Sequence, residues 1–283
     1  MRSLAEFVLK GRTQAIVVAV IAALLPMLFW LSAAAVSLVT LRKGAAKGGF
    51  IIVWALLPAI MWAGHGDFSP FIVISGSYIL AIVLRSTVSW QRCVQVALVL
   101  AIAAGFVQQQ LNADVLAQVV VGVQKMMAQS TPIAEGSLLG DSQWLLQAVL
   151  GTFDALYFAM MLLSLFLARW WQSVLFNPGG FQQEFHQLRF SPLFALSLAA
   201  IILIATRGDE GIIRWGPLFM APLVIAGLAL VHGSVAKRNL GRSWLVVIYI
   251  STFVFGPYVI TMLVFFAIVD ALVDIRKRIP ASQ

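Results

Sequence analysis

The chain has little charge. Only 11% of its 283 residues are Asp, Glu, Lys or Arg, whereas 61% are hydrophobic. This charged share is less than half of that in soluble domains. The composition therefore excludes a soluble core and predicts a single integral membrane domain over residues 1–283.

Cysteine and histidine are scarce too. Cys93 is the only cysteine, so an intramolecular disulfide and a cysteine-rich zinc site are both excluded. His65 and His186 lie in predicted loops and are too dispersed to indicate a metal site, and His232, near the cytoplasmic end of its apolar block, is typical of an interfacial histidine. The sequence also lacks the motifs of nucleotide-binding loops, serine hydrolases and zinc proteases. We therefore expect no enzyme, no catalytic residues, no metal and no cofactor.

Basic residues outnumber acidic ones by 19 to 11, which gives a net charge of +8. Such a balance can indicate binding to nucleic acid, but here the basic residues form short clusters beside apolar runs. That arrangement is typical of membrane topology signals. We therefore expect the lipid bilayer, and no nucleic acid, as a partner.

Eight apolar blocks follow one another along the chain. The first, residues 15–41, holds 27 residues without a charge and contains Pro26, and the last, residues 244–269, is interrupted at Gly256 and Pro257. The blocks between them predict an all-α, polytopic transmembrane bundle with about eight to ten membrane segments. These blocks are residues 50–64, 71–84, 93–107, 144–168, 192–206 and 217–231.

The first and last blocks admit two topologies. Basic residues flank both ends of each block, which favours a hairpin at Pro26 and another at Pro257. The alternative is one long, proline-kinked span for each block. Hairpin arms of about 14 residues would reach roughly 21 Å, against a hydrocarbon core of about 30 Å. Such arms would need to be re-entrant, shielded by other helices or placed in thinned bilayer.

The charged loops predict the orientation. If successive loops alternate between the two sides, all of the 19 basic residues except Lys125, Arg207 and Arg214 fall on one side. We expect this side to be cytoplasmic and to carry the N-terminus. If the last block is a hairpin, the C-terminus lies on the same side. The other side carries Asp67, Asp114, Glu135, Asp141, Asp209 and Glu210.

Residues 108–142 form a polar region expected on the outer side. Apolar residues recur in it at helical spacing, which predicts an amphipathic helix. Two roles are open: a connector lying on the membrane, or a lid over an outward-facing cavity. The apolar positions are Leu111, Val115, Val119, Val123 and Met126, and a more flexible remainder contains Thr131, Pro132, Gly136, Gly140 and Asp141.

Asp154 is the acidic residue placed well inside an apolar block. Because a lone carboxylate is costly in a membrane, Asp154 should be protonated, paired or facing a wet cavity. Tyr157 lies three residues on, near the same helix face, and Thr152 is close by. Asp154 and Tyr157 are therefore candidates for ligand binding or proton coupling. The alternative for Asp154 is a structural hydrogen bond to a neighbouring helix.

Asp270, Asp274 and Arg278 are spaced four residues apart near the C-terminus. This spacing predicts a helical ion pair between Asp274 and Arg278 and a cytoplasmic anchor made by all three. Asp270 is deeper, and we expect it to pair with a basic residue of another cytoplasmic segment.

Ala15, Ala19 and Ala23 occupy one helical face of the first block. Small residues at this spacing permit close packing of a second helix. That helix belongs either to this chain or to a separate membrane subunit.

The C-terminal segment resembles the YybS-like family of bacterial membrane proteins. The resemblance is carried by His232 and Gly233, by Lys237 and Arg238, and by the run Ile-Val-Asp-Ala-Leu-Val-Asp-Ile-Arg at 268–276. The order of the apolar blocks is similar over most of the chain. This family is distantly similar to the substrate-binding S components of energy-coupling-factor transporters, in which small residues of the first helix dock the coupling subunit.

The resemblance implies a bacterial inner-membrane, transporter-like component that binds a small-molecule ligand and a membrane-protein partner or coupling subunit. Ala15, Ala19 and Ala23 would dock that subunit. The chain is longer than a six-helix S component. The alternative function is a non-transporting membrane scaffold or regulator of envelope proteins. It is motivated by the lack of a dense polar lining across the predicted spans.

Overall fold

The structure is a computed structural model that describes residues 1–130, 142–207, 210–241 and 243–279. The described part is all-helical, as expected from the composition. The helices are α1 (Arg2–Lys10), α2 (Arg12–Leu24), α3 (Phe29–Lys43), α4 (Ala45–Gly64), α5 (Ser69–Thr87), α6 (Trp90–Leu111), α7 (Ala113–Ser130), α8 (Ser142–Phe176), α9 (Gly180–His186), α10 (Pro192–Ala205), α11 (Glu210–Ile213), α12 (Trp215–Lys237), α13 (Ser243–Val254), α14 (Gly256–Val273) and α15 (Ile275–Arg278).

Six helices within the described ranges, α4, α5, α6, α8, α12 and α14, are long and apolar enough to cross a membrane. The chain is therefore a multi-pass membrane protein. A total of eight to ten segments would have to include α2, α3, α10 and α13, which have 12 to 15 residues. At helical rise these helices are about 18–22 Å long, shorter than the hydrocarbon core of about 30 Å.

The first apolar block folds as a hairpin. Helix α2 ends at Leu24, and the turn contains Pro26 and Met27, whose φ of 63° lies in the left-handed region. Helix α3 then runs back beside α2. At its end, Lys43 Nζ donates a hydrogen bond of 2.8 Å to the carbonyl of Leu9, which precedes α2. Both ends of the block therefore lie at the same end of the bundle.

Helix α3 is the centre of the bundle. Ten consecutive residues, Ser32 to Leu41, are buried, and α2, α4, α5 and α8 surround the helix. The Ser37 hydroxyl donates to the carbonyl of Ser77, and the Ser77 hydroxyl donates to the carbonyl of Met161, each over 3.2 Å. The short helix is therefore shielded by protein, and serine hydroxyls join it to α5 and α8.

The last block is a hairpin as well, broken at Phe255 between α13 and α14. Lys237 Nζ, at the end of α12, donates a 2.8 Å hydrogen bond to the carbonyl of Arg276, just beyond α14. Helix α13 begins close after α12, so both ends of this block lie at the same end of the bundle. In contrast to α3, no residue of α13 is buried.

We call the end of the bundle that carries Lys43, Arg85 and Arg169 the basic end, and the other end, where α6 stops and α12 starts, the opposite end. The predicted amphipathic helix is present at the opposite end as α7. Among its residues whose burial is described, Leu116 and Val120 are buried, whereas Val115 and Met126 of the predicted apolar face are exposed, so this face points mostly away from the bundle. The predicted loop positions Thr131, Pro132, Glu135, Gly136, Gly140 and Asp141, and likewise Asp209, lie outside the described residues.

Candidate functional site

Asp154 forms a buried ion pair with Arg214. Arg214 Nε donates to Asp154 Oδ2 over 2.7 Å, and Arg214 Nη2 donates to Asp154 Oδ1 over 3.4 Å. Only 1% of Asp154 and 3% of Arg214 is exposed. Asp154 lies on α8, and Arg214 lies between α11 and α12, so the pair joins these parts of the bundle near its opposite end.

Helix α6 completes the surroundings of Arg214. Arg214 Nη1 donates to Gln109 Oε1 over 2.7 Å. The guanidinium carbon also lies 5.1 Å from the ring centroid of Phe106 and 5.0 Å from that of Trp215. Aromatic rings at these distances attract a cation. One arginine therefore contacts a carboxylate, an amide and two aromatic rings from three helices.

Two glycines make room for the ion pair. A Cβ atom on Gly105 of α6 would overlap Asp154 Oδ1, and a Cβ atom on Gly151 of α8 would overlap the backbone carbonyl oxygen of Arg214. The helices can therefore approach closely enough for direct contact only because both positions lack a side chain. The site thus depends on backbone packing as well as on its charged groups.

The Asp154 carboxylate is accommodated in the bundle by its ion pair with Arg214. Of the predicted states, protonated, paired or facing a wet cavity, the structure has the paired one. Both carboxylate oxygens accept hydrogen bonds from Arg214. A buried pair of this kind is strongly destabilised when one partner is removed. Its direct chemical effect is to hold α6, α8 and α12 together.

Tyr157 lies beside the ion pair but is bonded elsewhere. Its hydroxyl donates to Gln108 Oε1 and lies 3.5 Å from the hydroxyl of Ser69 at the start of α5. Gln108 and Gln109 are adjacent on α6, so the groups around Tyr157 and Arg214 are neighbours along one helix. The two predicted site residues thus share helix α8 but have different partners, Arg214 for Asp154 and Gln108 with Ser69 for Tyr157.

A cavity of about 620 Å³ lies beside Tyr157, between α3, α5 and α8. Its wall is mainly apolar and includes Phe153 and Met160, with the hydroxyls of Ser69, Tyr157 and Ser164 as polar groups. Ser164 is 1% exposed, and its hydroxyl has no hydrogen-bond partner. The cavity therefore offers a buried polar atom that a bound molecule could satisfy.

A second cavity, of about 480 Å³, lies between α4, α5 and α6. Its lining is also apolar and includes Phe71, Ala103 and Leu111. It contains one hydroxyl, that of Ser75, which already donates to backbone carbonyls of its own helix. It therefore lacks the unsatisfied polar group found beside Tyr157.

The alanine ladder packs inside the chain. Ala15, Ala19 and Ala23 are at most 1% exposed. Helix α2, which carries them, packs against α3 and α4, and the carbonyl of Ala23 accepts a hydrogen bond from Trp62 Nε1 of α4. Of the two partners considered for the ladder, helices of this chain therefore occupy it.

The C-terminal acidic residues bind arginines of two segments. Asp270, 1% exposed, lies 3.3 Å from Arg276 Nε through its Oδ2. Asp274 accepts a hydrogen bond of 2.6 Å from Arg189 Nη1, in the turn after α9, and lies 3.1 Å from Lys277 Nζ. The three residues of the predicted anchor do lie at the basic end, but their partners differ from the predicted ones.

The predicted ion pair between Asp274 and Arg278 is wrong. Helix α14 ends at Val273, and Asp274 has a left-handed φ of 51°, so the spacing of four residues no longer aligns the two side chains. Arg278 Nε instead donates to the carbonyl of Val273. Desolvation opposes ionisation of Asp274, but the Lys277 hydrogen bond and the charges of Arg189 and Lys277 lower its pKa below the ordinary value.

Two of the three histidines, His186 and His232, meet at the basic end. The ring centroids of His186 and His232 are 6.3 Å apart, and His232 Nε2 lies 2.8 Å from the hydroxyl of Tyr249. Burial, with smaller effects of His232 and Arg276, lowers the pKa of His186 below 6.5. Across the described residues, no three His, Cys, Asp or Glu side chains are grouped as a metal site requires.

Sequence reasoning missed Arg214, Gln108 and Gln109 as partners of the candidate residues. One signal was present: Arg214 is one of three basic residues on the side where few are expected, and it directly precedes an apolar span. For the glutamines, the signal was their position at the polar end of an apolar block.

Comparison of the chain with family models, curated proteins and solved structures gives no match. The resemblance to the YybS-like family therefore remains a prediction. Function must be argued from the geometry of the bundle.

Proposed function

We propose that the chain is a transporter-like, ligand-binding component of the bacterial inner membrane, similar in role to an S component. The observation that carries the proposal is the cavity of about 620 Å³ beside Tyr157, with the unsatisfied hydroxyl of Ser164 in its wall. Cavities of this size, mainly apolar with a few polar groups, are typical of small-molecule sites.

The chemistry of the wall defines the ligand class. Phe153, Met160 and Leu167 supply apolar surface, while hydroxyls are present at Ser69, Tyr157 and Ser164. A mainly apolar molecule with one or two hydrogen-bonding groups fits these properties. No charged side chain lines the cavity, although Met1, which carries the N-terminal amino group, is one of its lining residues.

The ion pair of Asp154 and Arg214 has a positioning role in this proposal. Asp154 is three residues before Tyr157 on α8, and Arg214 also holds Gln109, the neighbour of the Tyr157 partner Gln108. The pair therefore fixes α8 against α6, and with it the hydroxyl of Tyr157. Proton coupling at Asp154 would require this pair to open.

A coupling subunit would have to dock away from the alanine ladder, because helices of this chain cover it. The outer face of α13 is the alternative surface. Phe253 is 92% exposed and Ile250 is 58% exposed, and no residue of α13 is buried. A helix of 12 residues is too short to span the bilayer alone, which favours cover by another membrane protein.

The same face of α13 favours the second candidate function, a non-transporting scaffold or regulator of envelope proteins. A scaffold needs this face but not a ligand. Substitutions in the cavity would then leave its function intact, whereas substitutions on α13 would abolish it. The two functions are therefore separable by experiment.

The orientation of the bundle in the membrane is a further part of the proposed function. Lys43, Arg85 and Arg169 lie at the basic end, together with the N-terminal helix α1 and the C-terminal helix α15. Because positively charged loops stay in the cytoplasm, we place the basic end and both termini there. In this orientation the cavity beside Tyr157 runs from Met27 and Ser69, near the opposite end, towards Met1, which precedes α1 at the basic end.

The test is a thermal-stability screen of the purified protein against a panel of small amphiphilic and polar compounds. A hit in the cavity should raise the melting temperature of the wild type but not of Leu163→Trp, which fills the cavity from its exposed edge. Ser164→Val, which removes the unsatisfied hydroxyl, should weaken the same hit. Ala103→Phe is the matched control, because it fills the other cavity.

A compound that raises the melting temperature of the wild type and of Leu163→Trp equally does not bind beside Tyr157. If the screen yields only such compounds, the site is rejected. Purification in mild detergent tests the transport role separately. Co-purification of an ATPase or coupling subunit supports it, whereas partners limited to envelope-assembly proteins support the scaffold.

A further inference from the structure

A small basic pocket lies at the basic end of the bundle, remote from the cavity beside Tyr157. Its volume is about 210 Å³, and it opens between the start of α2, the end of α3 and the start of α4. Three cations line it: Arg12, Lys43 and Lys47. We infer that this pocket binds the phosphate of an anionic membrane lipid, a role beyond the proposed function.

The charge of the pocket is unbalanced within the chain. None of the residues that line it is acidic. Lys43 donates to the carbonyl of Leu9, and Glu6, which does not line the pocket, is bonded to Arg2. Like charges held close together repel each other, and an anion in the pocket would relieve that repulsion.

The fold brings the three cations together from separate helices. The chain breaks at Gly11 between α1 and α2, which places Arg12 at the first turn of α2. Gly44, with φ of 97°, allows the tight turn between α3 and α4. A Cβ atom on Gly48 would overlap the Thr40 hydroxyl, so the two helices are in close contact just after this turn. Lys43 and Lys47 thereby face the pocket together.

The floor of the pocket distinguishes a lipid from a free anion. Below the cations, the lining consists of Ala15, Val39 and Ile51, which are apolar. The outer faces of α2 and α4 continue as exposed apolar surface, with Ile21 52% and Leu57 56% exposed. A lipid can place its phosphate among the cations and its acyl chains on these faces. Basic pockets between membrane helices bind lipid headgroups in this way.

The test uses the full chain in detergent with added phosphatidylglycerol, and counts bound lipid by native mass spectrometry. Phosphatidylglycerol should bind specifically, while zwitterionic phosphatidylcholine should not. The double variant Arg12→Gln/Lys47→Gln removes two exposed cations of the pocket. Each cation that contacts the bound phosphate should contribute roughly fivefold in affinity, so the double variant should bind about 25-fold more weakly.

The matched control is Arg92→Gln/Arg238→Gln, which removes the same charge from two exposed positions outside the pocket. It should retain wild-type affinity. An equal loss in both double variants would overturn the site and leave only diffuse attraction. Competition by inorganic phosphate alone, at equal affinity, would overturn the lipid in favour of a free anion. The ligand screen on the Tyr157 cavity does not depend on either result.

Discussion

Arg214 Nε lies 2.7 Å from Asp154 Oδ2, although the two residues are 60 positions apart in the chain. This contact joins the middle of the chain to the start of α12, and only 1% of Asp154 and 3% of Arg214 is exposed. A carboxylate that looked isolated in the sequence is therefore neutralised by the protein itself. A change of either residue alone should therefore cost more stability than a change of both.

We predict that Asp154→Asn and Arg214→Gln each destabilise the protein. Each leaves an uncompensated buried charge, which costs about 3–5 kcal/mol. The measurement is reversible unfolding of the purified protein in detergent. Thr152→Ala on the same helix is the control, because Thr152 is exposed and bonds only its own helix. Single variants as stable as the wild type would contradict a structural ion pair.

The double variant Asp154→Leu/Arg214→Met should recover most of the stability lost in the single variants. Replacing a buried ion pair by apolar groups of similar size is often neutral, because the desolvation cost of both charges disappears. A double-mutant cycle made of Asp154→Leu, Arg214→Met and this double variant measures the coupling directly. If the losses of the two single substitutions simply add, Asp154 and Arg214 do not act as a pair.

A second prediction concerns the glycine that makes room for this pair. Gly105→Ala puts a methyl group against Asp154 Oδ1, and overpacking of this kind costs about 1–3 kcal/mol. Gly122→Ala on α7 is the control, because a Cβ atom there meets nothing within 4 Å. It should be neutral or stabilising by up to about 1 kcal/mol. Equal effects at the two positions would contradict the close approach of α6 and α8.

The sequence was sufficient for the parts of the fold that depend on local patterns. Apolar runs predicted the six long helices, and Pro26 and Pro257 with their flanking charges favoured the hairpins that the structure has. Both signals act within one block of the chain. Helix class and hairpin breaks are therefore accessible without knowledge of tertiary packing.

The partners of the site residues were not accessible in the same way. Helical periodicity indicates which face Asp154 occupies but not which helix packs there, so Arg214 could not be assigned. For Asp274 the continuous apolar and charged pattern predicted a continuing helix, whereas the helix ends at Val273. The cavity beside Tyr157 is a gap in packing between three helices, and no single stretch of sequence encodes it.

A third prediction tests the hairpins and the orientation. Ser3→Cys and Arg278→Cys, at the two termini, should react with a membrane-impermeant maleimide only after the cells are permeabilised. Asp67→Cys, in the turn between α4 and α5, should react in intact cells. The native Cys93 is buried and is replaced by Ala as background. Reaction of Arg278→Cys in intact cells would indicate that the last block crosses the membrane once.

The fourth prediction concerns acid sensitivity at the basic end. His186 lies outside the membrane-spanning helices, and burial, with the charges of His232 and Arg276, lowers its pKa below 6.5. Well above pH 6.5 it is neutral in both the folded and the unfolded chain. As the pH falls through 6.5, the unfolded chain takes up a proton that the folded chain does not, so stability falls until the lowered pKa is reached. The slope contributed by one group is at most about 1.4 kcal/mol per pH unit.

We therefore expect His186→Gln to reduce the loss of stability just below pH 6.5, measured by thermal unfolding in detergent. The control His65→Gln changes an exposed position of the opposite end and should retain this loss. An unchanged pH slope in His186→Gln would show that another group causes the acid sensitivity.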